Sequence, residues 1–317
     1  MSLIEQAAKR LEELRRAGAE LPSEDPSAGV RESTPTPEAV VRALDAHGAA
    51  PLREAGSVAA TSAAAIHQPS LPQQRVDIDL VRLDAQGFVI PDRPKSQIAD
   101  EFRVIKRPII RNAIGQGAKA KTKGRNLVMV TSALPGEGKT FTAVNLAMSI
   151  AAEFNNTVLL IDGDVAHPTL PNLLGVPSEP GLLDLLTRDG VDVSDALVRT
   201  NVDKLTVMPA GARQRRATEL LASEQMATLL RELSSRYADR IIIFDSPPLL
   251  ATTEARVLAT HMGQIVMVVA ADATSQNAVS HALQTVESCE IVMMVLNKAS
   301  RTDVGTYYGY YADDAAR

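Results

Sequence analysis

The 317-residue sequence has no tryptophan, one cysteine and few aromatic side chains. A single cysteine, Cys289, excludes an internal disulfide and is typical of a reducing compartment. The five histidines are scattered along the chain, so the sequence predicts no structural metal site. The formal net charge is -5, and without an excess of basic residues we expect no nucleic-acid partner.

Long hydrophobic runs are also missing. The longest clean apolar run, Ile265 to Ala271, is far shorter than a membrane span. The N-terminus lacks the apolar core of a signal peptide. We therefore expect a cytoplasmic chain that reaches a membrane only through a partner.

The first segment, residues 1–20, has apolar residues at helical spacing. Leu3, Ala7, Leu11 and Leu14 fall on one face, which predicts an amphipathic helix. Its charges are mixed, and this favours docking on a partner or on a second copy over binding to lipid.

The rest of the chain divides by composition into three segments. Residues 21–95 are rich in Ala, Pro, Ser and isolated charges, which predicts a low-complexity and largely disordered linker. We expect a folded domain over residues 96–300 and a flexible tyrosine-rich tail over residues 301–317. The domain should open with a helix in QIADEFRVIKRPIIRN, and Pro108 should end or kink that helix near Arg107.

From Leu127 onward, short apolar runs alternate with helical patterns. The predicted strands are LVMVT, VLLID, LTVMP, IIIFD, QIVMVVAA and IVMMVLN. The predicted helices run from Thr140 to about Ala152, from Thr218 to about Tyr237, and from near Ser275 to Glu287. Near-continuous apolar strands separated by helices predict an α/β fold with a mostly parallel sheet covered by helices on both faces.

The first of these strands runs into ALPGEGKT, residues 133–140, which fits the spacing of a P-loop except for alanine at the first glycine position. Glycines let backbone N–H groups converge on phosphate oxygens, and the following helix adds its dipole. Lys139 would neutralise the outer phosphates, while Thr140 would hold Mg²⁺. The predicted nucleotide-binding residues are Ala133, Leu134, Pro135, Gly136, Glu137, Gly138, Lys139, Thr140, Phe141 and Asn297.

Acidic residues end two further strands, where ligands of open α/β sheets bind. IIIFDSPP ends its strand in Asp245, a Walker B type aspartate, and VLLIDGDVAHP ends its strand in Asp162 and adds Asp164. The last two have an alternative role as a helix cap or turn former. The predicted catalytic residues are Lys139, Asp162, Asp164 and Asp245. The predicted metal ligands are Thr140, Asp162 and Asp245.

The segment VLNKAS, residues 295–300, bears on which nucleobase is bound. Asn297 and Lys298 match the guanine-reading motif of GTPases, but Ser300 stands where their aspartate would be. We therefore expect ATP, with Asn297 near the base.

The motifs ALPGEGKT, VLLIDGDVAHP and IIIFDSPP, followed by the tyrosine cluster in TYYGYYADDAAR, resemble the bacterial tyrosine kinases of capsule and exopolysaccharide synthesis. More narrowly, the sequence is similar to the cytoplasmic, exosortase-associated tyrosine autokinases over roughly Gln97 to Arg317. The resemblance implies a P-loop kinase that uses ATP and Mg²⁺ and phosphorylates tyrosines of its own C-terminal tail. The implied acceptors are Tyr307, Tyr308, Tyr310 and Tyr311.

The resemblance also implies partners. The activator would be a transmembrane polysaccharide co-polymerase of the chain-length determinant type, which places the kinase at the inner membrane, where it regulates exopolysaccharide polymerisation or export. A tyrosine phosphatase would remove the phosphates. The family's oligomerisation motif, Glu-x-x-Arg-x-x-Arg, corresponds to Asp100, Arg103 and Lys106, although lysine lacks arginine's bidentate fork. The family usually carries arginine or another basic residue soon after the acid that corresponds to Asp164, whereas this sequence has Ala166 and His167 there.

Several alternatives stay open at the level of sequence. A partitioning-type ATPase shares the fold but generally carries an extra lysine at the position of Leu134, and a regulatory scaffold would bind nucleotide without catalysis. Either Asp162 or Asp164 is a candidate base for the tyrosine proton. Arg213, Arg215 and Arg216 are interpreted as a solvated loop, with contact to a phosphoryl site or an anionic partner as alternatives. The tail tyrosines are substrates of their own chain or of the next one, or an aromatic docking segment.

Overall fold

The computed structural model describes residues 74–91, 93, 95–116, 124–236 and 240–300. The predicted N-terminal helix, the linker up to residue 73 and the tyrosine-rich tail lie outside the described residues.

The described part of the chain contains eight strands in one sheet. The strands are β1 (Gln74–Val76), β2 (Leu127–Ser132), β3 (Thr157–Asp162), β4 (Val198–Thr200), β5 (Leu205–Met208), β6 (Arg240–Asp245), β7 (Gln264–Ala270) and β8 (Val292–Asn297). Their order across the sheet is β1-β4-β5-β3-β6-β2-β7-β8. All neighbours are parallel except β4 and β5, which confirms the mostly parallel sheet.

Nine helices join these strands in the described residues. They are α1 (Leu80–Ala85), α2 (Gln97–Ala113), α3 (Lys139–Ala151), α4 (Leu170–Leu174), α5 (Leu182–Thr187), α6 (Ala217–Leu221), α7 (Glu224–Arg236), α8 (Thr253–Ala259) and α9 (Gln276–Gln284). The predicted helix from Thr218 to Tyr237 is two helices, because the Ser223 hydroxyl accepts the Met226 N–H and starts a new helix.

Side chains on the central strands alternate between two apolar cores, one on each face of the sheet. On β2, Val128 and Val130 join the core beneath α2 and α3. Leu127 and Met129 join the core beneath α5 to α9. Both faces are therefore covered by helices, as the continuous apolar strands predict.

The folded unit begins earlier than the expected boundary at residue 96. Residues 74–91, which the sequence placed in the linker, add the edge strand β1 and the helix α1 to the sheet. Phe88 packs against Phe141 with ring centroids 5.0 Å apart. The Val89 N–H donates to the buried Asn145 Oδ1 at 2.6 Å. Burial of these few apolar residues holds a segment whose overall composition is typical of a linker.

Pro108 lies inside α2 and does not end it; the helix continues to Ala113. Phe102 and Ile109 are buried on the same core, one on each side of the proline, and Ile98 and Ile105 pack against it partly buried. This packing offsets the hydrogen bond that proline cannot donate.

Lys106, the third residue of the oligomerisation motif, makes its polar contacts within its own chain. It is buried, and its ammonium donates to the Ser149 carbonyl and pairs with Glu153 Oε1, both at 2.6 Å on or next to α3. Asp100 and Arg103 are more exposed and pair with each other along α2. The motif's lysine is thus used to fasten α2 to α3.

Within the described residues, no helix is both long and apolar enough to cross a membrane.

Candidate active site

The loop between β2 and α3 has the backbone of a phosphate-binding loop. Gly136 and Gly138 have φ of 81° and 97°, a region that favours glycine. A Cβ on Gly138 would clash with the Asn297 amide nitrogen, so a larger residue there would also displace the Asn297 side chain. Ala133 is buried and has no positive φ, which explains why alanine is accepted at the first position.

Glu137 fastens this loop to the neighbouring strand. The residue is 3% exposed, and one oxygen of its carboxylate accepts the Leu134 N–H at 2.7 Å. The other oxygen accepts the Thr274 hydroxyl and, at 3.4 Å, the Ala270 N–H. The loop is therefore held against the end of β7 by a side chain from within the loop.

The dipeptide Asn297–Lys298 closes on the same loop from the end of β8. The Asn297 amide donates to the Glu137 carbonyl at 2.8 Å, and the Lys298 ammonium donates to the Gly136 carbonyl at 2.7 Å. The structure places Asn297 at the nucleotide-binding loop.

Lys139 and Asp164 form a shielded ion pair. The ammonium lies 3.0 Å from Asp164 Oδ2, with side-chain exposures of 13% and 7%. The other Asp164 oxygen accepts the His167 N–H at 3.1 Å, which fixes the carboxylate in a turn. The structure thus brings Lys139, which the sequence predicts to bind phosphate, into contact with the second acid.

Asp162 caps the start of α4, one of the two roles that the sequence left open. Its Oδ2 accepts the N–H groups of Thr169 and Leu170, both at 2.9 Å, at the start of α4. Its Oδ1 is buried and has no hydrogen-bond partner among the described residues. Burial raises the pKa of Asp162 to about 7, with a further contribution from the Asp245 charge.

Asp245 lies level with Asp162 on the adjacent strand and is completely buried. Neither of its oxygens has a partner of good hydrogen-bond geometry among the described residues, although the Thr140 and Thr169 hydroxyls are near enough to lower its pKa. Burial dominates and raises the pKa of Asp245 to about 6, against the opposing charge of Lys139.

These features fit a nucleotide with a divalent cation. Unpartnered buried oxygens on Asp162 and Asp245 are costly unless a ligand satisfies them. Mg²⁺ is usually held by one or two carboxylates together with substrate phosphates. The Thr140 hydroxyl lies at the same place, 3.5 Å from the Thr169 hydroxyl.

The remaining predicted residues are distributed as follows. Leu134 and Pro135 are exposed on the loop, and Phe141 turns its ring onto Phe88. The four tail tyrosines lie outside the described residues. Sequence reasoning missed Thr169 and Thr274, because neither belongs to a motif and their proximity to the site depends on the fold. The missed role of Glu137 had one signal, a carboxylate inside a loop built for phosphate.

The parallel sheet, the glycine-rich loop before α3 and the acids at the ends of β3 and β6 define a P-loop protein that binds nucleotide with a divalent cation. The AAA domain model matches residues 126–298. The chain is 31% identical to putative tyrosine-protein kinase CapB of Staphylococcus aureus over 71% of its own length and 95% of that protein. It is 30% identical to tyrosine-protein kinase YwqD of Bacillus subtilis (strain 168), over 71% of its own length and 91% of that protein.

The solved BceF tyrosine kinase domain is similar in structure, with a TM-score of 0.55 and 26% identity, over 71% of this chain and 92% of that one. The chain belongs to the family of bacterial tyrosine kinases. It is therefore a protein-tyrosine kinase, and its relatives favour this function over the partitioning ATPase.

Proposed function

We propose that this kinase transfers the γ-phosphoryl group of ATP to Tyr307, Tyr308, Tyr310 and Tyr311 in the tail of a neighbouring copy. The observation that carries the proposal is the cluster of Lys139, Asp162, Asp164 and Asp245 at the phosphate-binding loop. Four of the five tyrosines of the chain lie in one short segment, which supplies the acceptors.

Lys139 has two competing partners in this proposal. In the structure its charge is neutralised by Asp164. Phosphates at the loop attract the same ammonium, and Lys139 then leaves Asp164 Oδ2 free to accept a proton. Asp164 is therefore available as a proton acceptor only when nucleotide occupies the site.

We assign Asp164 as the base because Asp162 is committed on one side to the N–H groups of α4. A phenol has a reference pKa near 10, so a carboxylate within hydrogen-bond distance assists by accepting the proton as the new bond forms. The tyrosine oxygen bonds to the γ-phosphorus, the bond from phosphorus to the ADP oxygen breaks, and the proton passes to Asp164.

Thr140, Asp162 and Asp245 would hold Mg²⁺ through the hydroxyl and the unpartnered carboxylate oxygens. When bound, the cation neutralises charge that develops on the phosphate oxygens. The loop N–H groups at Gly136 and Gly138 position the phosphates. Asn297 would border the nucleotide from the end of β8, and Phe141 would contribute its backbone rather than its ring.

The cellular setting is part of the proposal. A membrane-spanning polysaccharide co-polymerase would activate the kinase through its cytoplasmic segment and keep it at the inner membrane, and a tyrosine phosphatase would reverse the modification. Copies would associate through the α2 face that carries Asp100 and Arg103, without Lys106. Each tyrosine phosphate adds about -1.5 to -2 charges at neutral pH. Phosphorylated tails beside Asp313 and Asp314 would repel one another and make assembly reversible.

The test is incubation with labelled ATP and Mg²⁺, with and without the cytoplasmic segment of a candidate co-polymerase, followed by mapping of phosphotyrosine. Wild type should label the four tail tyrosines. Lys139→Met and Asp164→Asn should lower the rate about 100-fold or more. Asp203→Asn, a change of an exposed acid outside the site, is the matched control and should label normally. Label on serine, or none under any condition, contradicts the proposal.

A further inference from the structure

A second functional surface lies on the loop between β5 and α6, here called the arginine loop and defined as residues 211–216. It carries three exposed arginines within four residues, Arg213, Arg215 and Arg216. Among the described residues, none of the three side chains has a hydrogen bond or ion pair, whereas Arg188 and Arg231 are paired with acids. The chain therefore presents a concentrated positive charge in spite of its net charge of -5.

The loop is fixed at both ends. At one end, Gly211 has φ of 86° and the Ala212 N–H donates to the fully buried Asp184 at 3.2 Å. At the other end, the Thr218 hydroxyl donates to Glu254 at 2.8 Å. The three arginines between these ends are exposed to solvent. A short loop held in this way presents its guanidinium groups with less entropy to lose on binding than a free segment.

The position of the loop relates it to the active site. It leaves the carboxyl end of β5, and β5 pairs directly with β3, whose carboxyl end carries Asp162. Thr218 is hydrogen-bonded to Glu254 of α8, and α8 is the first helix after β6, the strand that ends in Asp245. The arginine loop thus borders the same edge of the sheet as the acids.

We propose that the arginine loop binds the phosphorylated segment 306–317 of a second copy after transfer, which rests on the proposed function. Arginine clusters recognise phosphotyrosine through bidentate, charge-assisted hydrogen bonds. Four phosphates would carry about -6 to -8 charges at neutral pH. Asp313 and Asp314 add to this charge, so the product complements the loop much better than the unmodified segment does.

A second copy is a better source of the segment than the same chain. From β8 to β5 the sheet spans five strand spacings, or about 24 Å, across the P-loop strand. The nine residues between Asn297 and Tyr307, if treated as a random coil, would have a root-mean-square span of only about 17 Å. The tail of another copy has no such restriction. Docking there would hold the product tail outside the active site until repulsion among the phosphorylated tails separates the copies.

The test uses the full chain with Tyr307, Tyr308, Tyr310 and Tyr311 changed to Phe, so that its own tail cannot compete. The probe is a synthetic peptide of residues 304–317 with four phosphotyrosines, followed by fluorescence anisotropy. Arg213→Gln, Arg215→Gln and Arg216→Gln together should weaken binding at least about tenfold. The matched control, Arg75→Gln, Arg111→Gln and Arg199→Gln, removes three exposed arginines elsewhere and should bind like the parent.

Three further arms decide the nature of the site. Changing the same three arginines to Lys keeps the charge but loses the bidentate fork, and should give intermediate affinity. Excess ADP with Mg²⁺ should not displace the peptide; displacement would move the peptide to the active site and overturn the proposal. Equal losses of peptide affinity in the Gln variant and the control would also overturn it. The third arm measures binding of the same proteins to phosphatidylserine vesicles. If the Gln variant loses vesicle binding but keeps peptide binding, the proposal is overturned as well.

The peptide is phosphorylated chemically, so this experiment does not require the kinase to act on its own tail. If mapping finds no phosphotyrosine on the tail, the proposed function fails and the binding result still stands. If the tail is labelled but the peptide does not bind, the arginine loop alone is excluded.

Discussion

At the scale of single residues, ionisation of Asp162 and Asp245 destabilises the folded chain, because both carboxyl groups are buried. Burial raises the pKa of Asp162 to about 7 and that of Asp245 to about 6, from a reference value of 3.8. The folded chain therefore binds these protons more tightly than the unfolded chain does. The contribution to stability is fully present below about pH 4 and is lost as the pH rises through 6 to 7.

We expect that without nucleotide and metal, Asp245→Asn raises the melting temperature at pH 8 and does so less at pH 5, because the amide removes a charge that is buried only at the higher pH. Each kcal/mol corresponds to about 2 to 4 °C for a chain of this size. Thermal unfolding of both proteins from pH 5 to 8 measures the difference. Asp203→Asn, an exposed control, should give the same difference at every pH, and a flat difference for Asp245→Asn contradicts the assignment.

At the scale of the loop and its neighbouring elements, Glu137 connects the phosphate-binding loop to the end of β7. Glu137→Gln replaces one accepting oxygen with a donor, so that either the Leu134 N–H or the Thr274 hydroxyl loses its acceptor. We expect a loss of about 1 to 3 kcal/mol in unfolding free energy and about tenfold weaker nucleotide binding. Urea unfolding and titration with ADP measure the two effects.

The partner of this contact provides an internal check. Thr274→Val should weaken nucleotide binding in the same direction, and the double variant should lose less than the sum of the two single losses because both changes break one network. Glu232→Gln, an exposed change on α7, should leave both measurements unaltered. Additive losses would mean that Glu137 and Thr274 act separately.

The elements show which parts of the fold the sequence could predict. The six long strands are near-continuous apolar runs, so β2, β3, β5, β6, β7 and β8 are recognisable in isolation. By contrast, β1 and β4 have three residues each and pair through the backbone, with little pattern of their own. The break between α6 and α7 depends on one serine cap, and the course of α2 past Pro108 depends on packing that no local pattern encodes.

The site divides in the same way. Motif spacing was enough to place Lys139, Asp162, Asp164 and Asp245 at one edge, since the carboxyl ends of parallel strands meet there. The pairing of Lys139 with Asp164 and the inward turn of Lys106 are choices among several charged partners. Such choices follow from three-dimensional neighbours, and the sequence alone does not list those neighbours.

At the scale of the whole molecule, the N-terminal boundary of the folded unit is testable. A chain that begins at residue 74 keeps β1 and α1 and should melt at the temperature of the full chain. A chain that begins at residue 96 loses five buried apolar side chains: Ile78, Leu83, Phe88, Val89 and Ile90. At about 1.5 to 3 kcal/mol each, this loss is comparable to the total stability of a domain.

We therefore expect the shorter chain to be largely unfolded or insoluble. It would lack Phe88 and Val89, which cover the Phe141 ring and the Asn145 amide. Circular dichroism and thermal unfolding of the two truncated chains distinguish the outcomes. A stable, cooperatively folding chain from residue 96 would restore the boundary that the composition predicted.

The register that sets Asp162 level with Asp245 also bears on how long the protein survives. Two buried carboxylates on adjacent strands repel each other, so the empty fold carries a local instability that a cationic ligand relieves. A ligand that binds only the folded state lowers the fraction of unfolded chain, and unfolded chain is what proteases degrade. Removal of nucleotide and cation should therefore lower the melting temperature of this kinase and raise its susceptibility to added protease.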